Sequence, residues 1–142
     1  MARVLAVDYG ERRIGLAISD PTGTIAQALP TLLRRRGKRP PYARILEAID
    51  EWDVERVVVG LPLETSGEEG QPAADVRSFG EGLERRTGIQ VEYWDERFTS
   101  VRAQREIVRL DLPAAARREK ERVDAMAATL ILQSYLDAQR ED

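Results

Sequence analysis

The sequence contains no histidine and no cysteine. These absences exclude disulfides, thiolate nucleophiles, Ser-His-Asp triads, histidine general bases and the Cys/His sites that hold most zinc. Hydrolytic chemistry on this chain must lean on carboxylates and arginines. That points to hard-cation sites, because Mg2+ prefers oxygen ligands and often arrives with phosphates. No run approaches the ~18 consecutive apolar residues of a membrane span, and the opening MARVLAVDYG lacks the small-residue cleavage site of a signal peptide. A cytoplasmic protein with no membrane partner is expected. Lysine is scarce as well, Lys38 and Lys120 being the two lysines among 22 basic residues. Arginine suits bidentate phosphate contacts, and its excess equally follows from genomic base composition.

With 142 residues, 42% hydrophobic and 33% charged, the chain has the size and composition of one globular domain, so residues 1–142 are expected to form a single unit. A two-domain ligase or kinase does not fit. The formal net charge of -3 argues against nucleic acid as a partner, but the charge is uneven. Arg34, Arg35, Arg36, Lys38, Arg39 and Arg44 occur with no intervening acid, and such a basic patch can sit on an acidic domain.

Residues 3–9 (RVLAVDY) form a near-continuous apolar run, the pattern of a strand buried on both faces. Residues 13–19 read as a second strand hairpinned to it, and 24–33 as a third. Pro40 and Pro41 open a helix to about Trp52, with Ile45, Leu46 and Ile49 as its apolar face. A buried strand follows over 56–61, then a polar glycine-containing loop over 63–70. A helix from Pro72 to Arg86 ends at Gly88, a fifth strand covers 89–94, and Thr99 or Ser100 caps a helix to about Leu110. Residues 111–118 read as a loop or frayed turn before a last helix over 121–136. This order predicts an α/β fold: a five-stranded mixed sheet flanked by helices, with the strand of Asp8 central, compatible with a ribonuclease H-like architecture.

Three carboxylates stand in apolar surroundings. Asp8 ends the first strand, Glu96 follows the fifth, and Asp124 shares a helix face with Ala128, Ile131 and Tyr135. Ligands of open α/β sheets collect at the carboxyl ends of strands, so these three acids can converge there. Their mutual repulsion would be relieved by divalent cations, and a two-metal site hydrolyses phosphodiesters without histidine. The plainer alternatives are a turn residue at Asp8 and, at Asp124, a helix-start acid or a partner for Arg122. Glu121, one turn before Asp124, is open to a role as fourth ligand, with a solvated helix-start acid as the preferred reading. Arg102, Arg105 and Arg109 form a stripe on the helix after Glu96, open to either phosphate contact or solvent. Trp52, Trp94 and Phe98 are read as core.

The motifs Asp8-Tyr9-Gly10 with Arg13-Ile14-Gly15-Leu16-Ala17, Gly60-Leu61-Pro62 with Gly67 and Gly70, Asp95-Glu96-Arg97-Phe98-Thr99-Ser100, and Lys120 with Val123-Asp124 and Ala127-Ala128 together resemble the YqgF/RuvX family. The match spans nearly the whole chain. The resemblance implies a ribonuclease H-like fold and a RuvC-like nuclease site, with Asp8, Glu96 and Asp124 as catalytic and metal-binding acids and Mg2+ or Mn2+ as cofactor. Arg13, Arg97 and Lys120 lie within those motifs and join Arg34, Arg35, Arg36 and Arg102 as candidate substrate contacts. Two substrates follow from the family, the 5′ end of precursor 16S rRNA and the Holliday junction, and the rRNA is preferred. Glu68 and Glu69 depart from the pattern by adding negative charge to the glycine loop.

Other classes compete with a nuclease. An ATPase of the actin and sugar-kinase type also carries Asp-x-Gly before a hairpin, but those enzymes close two such domains around nucleotide. A non-catalytic RNA-binding processing factor would keep the fold without turnover. Junction cutting favours a two-fold homodimer, because two symmetric strands must be cut, whereas RNA trimming requires no such symmetry, so monomer and homodimer both stay open.

Overall fold

The computed structural model describes residues 3–35, 37–101 and 113–140, and within the last segment the side chains of 113–117, 119–121 and 124 lie outside that description. The first strand, β1 (Arg3–Tyr9), is buried at five consecutive positions. Only a strand flanked by neighbours and covered on both faces can hold such a run. It pairs antiparallel with β2 (Arg13–Ser19), which pairs antiparallel with β3 (Ala26–Leu33). On its other side β1 pairs parallel with β4 (Val54–Leu61), and β4 with β5 (Val91–Asp95). The order β3-β2-β1-β4-β5 makes β1 the centre, as expected.

Helix α1 (Tyr42–Glu51) and helix α2 (Gln71–Thr87) provide the parallel crossovers. Pro72 stands in the first turn of α2, where its missing N–H costs nothing, and Gly88 ends the helix at φ 73°, a left-handed cap. Ile45 and Ile49 of α1 and Ala73, Val76, Phe79 and Leu83 of α2 pack on Leu5, Val7, Ile14, Val57 and Val59. The valine, leucine, isoleucine and phenylalanine side chains among these each contribute ~1.5–3 kcal/mol when fully buried.

The opposite face is covered by α3 (Pro113–Arg140), whose Val123, Ala127, Ala128, Ile131 and Leu132 pack on Val4, Ala6, Ala17 and Val58. This helix is described from Pro113, earlier than the 121 expected, and replaces the loop expected over 111–118 from residue 113 onward, residues 111 and 112 lying outside the described residues. Proline is favoured at a first helical position and Ala114, Ala115 and Ala116 are the strongest helix formers. Its direction follows from its fastenings. Tyr135 donates to the Glu92 carboxylate near the start of β5 and accepts from Arg56 Nη1 at 3.4 Å near the start of β4. Ile131, one turn earlier, lies beside Gly60 near the end of β4. The N-terminal half of α3 therefore runs toward the carboxyl ends of β1, β4 and β5. No helix among the described residues is long and apolar enough to cross a membrane.

Candidate active site

Side chains alternate along a strand, so Asp8 falls on the same face as Val4 and Ala6, the face under α3. It is 4% exposed and stands at the carboxyl end of β1. Two parallel strands away, Glu96 opens a 3-10 turn (Glu96–Phe98) directly after β5 and is 6% exposed. The turn is fastened by Thr99, whose N–H and hydroxyl both donate to the Glu96 carbonyl, at 3.0 and 2.7 Å.

Gly60 of β4 lies between them. The register Val7↔Val59 and Gly60↔Trp94 places it beside Asp8 on one side and next to the end of β5 on the other. A Cβ built at Gly60 would come within 2.6 Å of Ile131 Cδ1 and 3.1 Å of Glu96 Oε1. The missing side chain is thus what lets the Glu96 carboxylate lie over the sheet, under α3. The sequence signal was a glycine inside a valine-rich strand, which marks close approach; its role in seating Glu96 required the tertiary structure.

Position 124 of α3 lies two turns before Ile131, on the helix face that Ala128, Ile131 and Tyr135 share and toward the same sheet edge. The Asp124 side chain, like those of Lys120 and Glu121, lies outside the described residues, as do Arg36, Arg102, Arg105 and Arg109. Among the described residues no group of three or more acids gathers into a metal-sized cluster. The two described carboxylates nevertheless suit a hard divalent cation. Both are oxygen donors, both are nearly excluded from water, and the side-chain-free cradle at Gly60 adjoins them.

The candidate cations sort by position. Arg34 lies at the turn after Asp8, its Nη1 donating to the Gly10 carbonyl at 3.0 Å and its backbone N–H to the Arg12 carbonyl at 2.8 Å. The turn is tight, since a Cβ at Gly10 would stand 2.6 Å from the Arg13 carbonyl oxygen. Arg13 begins β2, half-buried and opposite Leu33. Arg35 is exposed. Arg97, beside Glu96, makes a forked pair with Asp95 at 2.7 and 2.9 Å and reaches the glycine loop, where a Cβ on Gly67 would lie 3.2 Å from its Nη1. The extra charge expected from Glu69 is met by Arg77, at 2.6 and 2.9 Å.

The aromatic expectations divide. Trp52 and Trp94 pack half-buried against the two cores, but Phe98 is 67% exposed, which corrects its reading as core. It meets Trp94 edge-on at 5.8 Å, because the 3-10 turn carries the chain off the sheet before the apolar pattern is complete. A groove of about 590 Å3 lies beside it along Leu130, Gln133 and Asp137, and neither Asp8 nor Glu96 lines it. The carboxylates occupy the sheet edge instead, where strand ends meet α3 and where α/β sheets bind ligands.

A family model described as RuvX: Holliday junction resolvase matches residues 2–138. A Koribacter versatilis protein named "Putative pre-16S rRNA nuclease" is 43% identical over 135 residues, 95% of this chain and 86% of that protein. A Thermoanaerobacter pseudethanolicus protein of the same name is 42% identical over 97% of this chain and 98% of that one. Among solved structures, Thermus thermophilus RuvC in complex with a Holliday junction substrate aligns with TM-score 0.57 and 14% identity over 99% of this chain and 96% of that one. The Fowlpox virus Holliday junction resolvase aligns with TM-score 0.53 and 12% identity over 96% of this chain and 99% of that one. At such identities the likeness establishes the fold, which is ribonuclease H-like.

Proposed function

The chain belongs to the RuvX family, and from that premise we propose that it is a metal-dependent endonuclease acting on structured nucleic acid, with the 5′ end of precursor 16S rRNA as its substrate. The observation that carries this reading is the pair of nearly buried carboxylates, Asp8 and Glu96, flanking Gly60 at the carboxyl edge of the parallel strands. The names of the relatives that align over most of their length support the choice of rRNA.

Asp8, Glu96 and Asp124 would hold Mg2+ or Mn2+ through carboxylate oxygens. A divalent pair there would supply Lewis-acid activation of water and charge stabilisation at the leaving oxygen. The protein's own groups bind and orient the strand. Gly60 and the turn-fastening Thr99 hold Glu96 in place, while Arg97, braced by Asp95, faces the glycine loop on one side of the site. Arg13, Arg34 and Arg35 stand on the other side, and Arg36, Arg102 and Lys120, which lie outside the described residues, complete the candidate phosphate contacts.

The test is cleavage of precursor 16S rRNA and of a four-way DNA junction, side by side, in Mg2+, Mn2+ or EDTA. Wild-type protein is expected to trim the rRNA 5′ end in either metal and not in EDTA, and Asp8→Asn, Glu96→Gln and Asp124→Asn to lose that activity. Symmetric paired nicking of the junction by a stable dimer, with the rRNA left intact, would transfer the reading to junction resolution. Retained cleavage in the Asp8 or Glu96 variant would remove the site itself.

A further inference from the structure

On the sheet face opposite the carboxylates, five side chains from β1, α1, α2 and the basic loop stack into one column. Tyr9, the residue after Asp8, lies parallel to Phe79 of α2 with centroids 4.2 Å apart and planes 10° apart. Phe79 in turn lies parallel to Tyr42 of α1 at 5.7 Å and 8°. An arginine caps each end, with Arg34 Cζ 4.2 Å from the Tyr9 centroid and Arg86 Cζ 3.9 Å from the Tyr42 centroid. Each guanidinium also donates one N–H to a carbonyl, Arg34 to Gly10 at 3.0 Å and Arg86 to Gly82 at 2.9 Å.

The two ends are alike in chemistry and differ in place. The Arg86 end stands three rings away, in the helical layer. The Arg34 end stands at the turn that follows Asp8, and among the described residues no carboxylate pairs with Arg34. A guanidinium has five donors in a planar fork. Held by a ring and a carbonyl, it loses little further freedom on gripping a phosphate, unlike the exposed Arg35, Lys38 and Arg39 beside it. Because Asp8 and Tyr9 point to opposite faces at one edge, a strand with a phosphate at Asp8 that crosses this edge brings a neighbouring phosphate to Arg34.

We propose that Arg34, fixed by the Tyr9 ring and the Gly10 carbonyl, grips a phosphate adjacent to the one cleaved, with Tyr9 as its positioning residue. The proposal rests on the endonuclease reading and adds to it the point at which the strand crosses the sheet edge.

Binding of a labelled single-stranded RNA oligonucleotide in EDTA, over a range of salt concentrations, tests it without cleavage. Arg34→Ala is expected to weaken binding about tenfold and to lower the log–log salt slope by about 0.7. Tyr9→Leu is expected to weaken binding in the same direction with the charge intact, and Tyr9→Phe, which keeps the ring, to restore it. Arg86→Ala removes an equivalent cation–ring contact and should leave affinity and slope unchanged; thermal midpoints of all variants report the packing cost separately. An unchanged slope in Arg34→Ala, or equal losses in the Arg34 and Arg86 variants, would overturn the proposal and leave the column as packing. Arg34-dependent binding without metal-dependent cleavage counts against the endonuclease reading and for the Arg34 contact. Cleavage with an Arg34-independent slope counts the other way.

Discussion

The two faces of the sheet are packed on different terms. Under α1 and α2 lie Leu5, Val7, Ile14, Ile18, Val57 and Val59, met by Ile45, Phe79 and Leu83. Under α3 the sheet offers Ala6, Ala17 and Gly60 among Val4 and Val58, and the helix answers with Ala127 and Ala128 beside Ile131 and Leu132. Large side chains bury more apolar area, so the first face carries more of the hydrophobic stabilisation. Small ones let backbones approach, and the second face uses that closeness to seat two carboxylates at its edge. Burying charge is expensive unless cations or donors compensate it. A domain can hold such groups on one face when the other supplies the stability.

Opposed substitutions give the sharpest separation of the faces. Asp8→Asn is expected to reduce cleavage on the order of a thousandfold, equivalent to several kcal/mol of transition-state stabilisation, while the thermal midpoint in EDTA holds or rises as like-charge repulsion is relieved. Leu83→Ala, at a fully buried α2 position, should instead cost ~2–5 kcal/mol in urea unfolding and leave turnover per folded molecule unchanged. Global unfolding by the first variant, or lost turnover in folded protein by the second, would break the comparison.

A smaller effect is expected where the two roles meet. Gly60→Ala forces a methyl against Ile131 and the Glu96 carboxylate, at a cost of ~1–3 kcal/mol for overpacking. Adding Ile131→Val removes the nearer clash and should recover part of the thermal midpoint. Cleavage should stay low in the double variant, because the Glu96 contact persists; recovery of both together would show that Gly60 serves packing alone.

The smallest effect lies at the far edge of the α3 face, where polar groups serve structure. Burial and the hydrogen bond to Glu92 push the Tyr135 hydroxyl up to about 12 from 10.0. A pKa raised in the folded state means that the contribution is complete below pH 10 and is lost as pH rises through about 12. Tyr135→Phe should cost about 1 kcal/mol at pH 7 and flatten the alkaline fall in urea midpoint, with cleavage unaffected. An unchanged alkaline limb would remove the hydroxyl from the stability of this face.

Much of this arrangement is legible in the sequence. The runs at 3–9 and 56–61 marked buried strands because a strand covered on both faces admits few polar residues. Asp8 and Glu96 stood out as acids at strand ends. The start of α3 is not legible in the same way, because Arg117, Arg118 and Lys120 resemble a solvated turn, and tertiary docking of the later apolar face extends the helix back through them. Phe98 reads as core in the sequence, and the turn after β5 carries it outward.

Composition alone excluded histidine and cysteine chemistry, and pattern alone set the five strands, their likeness to a meander with parallel crossovers, and two carboxylates at strand ends. Those are local properties, readable from period and residue type. Only the tertiary structure brought Gly60 under Glu96 and Ile131, and joined Arg34, Tyr9, Phe79, Tyr42 and Arg86 into a single column. Contacts between residues tens of positions apart depend on how whole elements pack, and that packing is decided by the sum of many side chains, which no local pattern records.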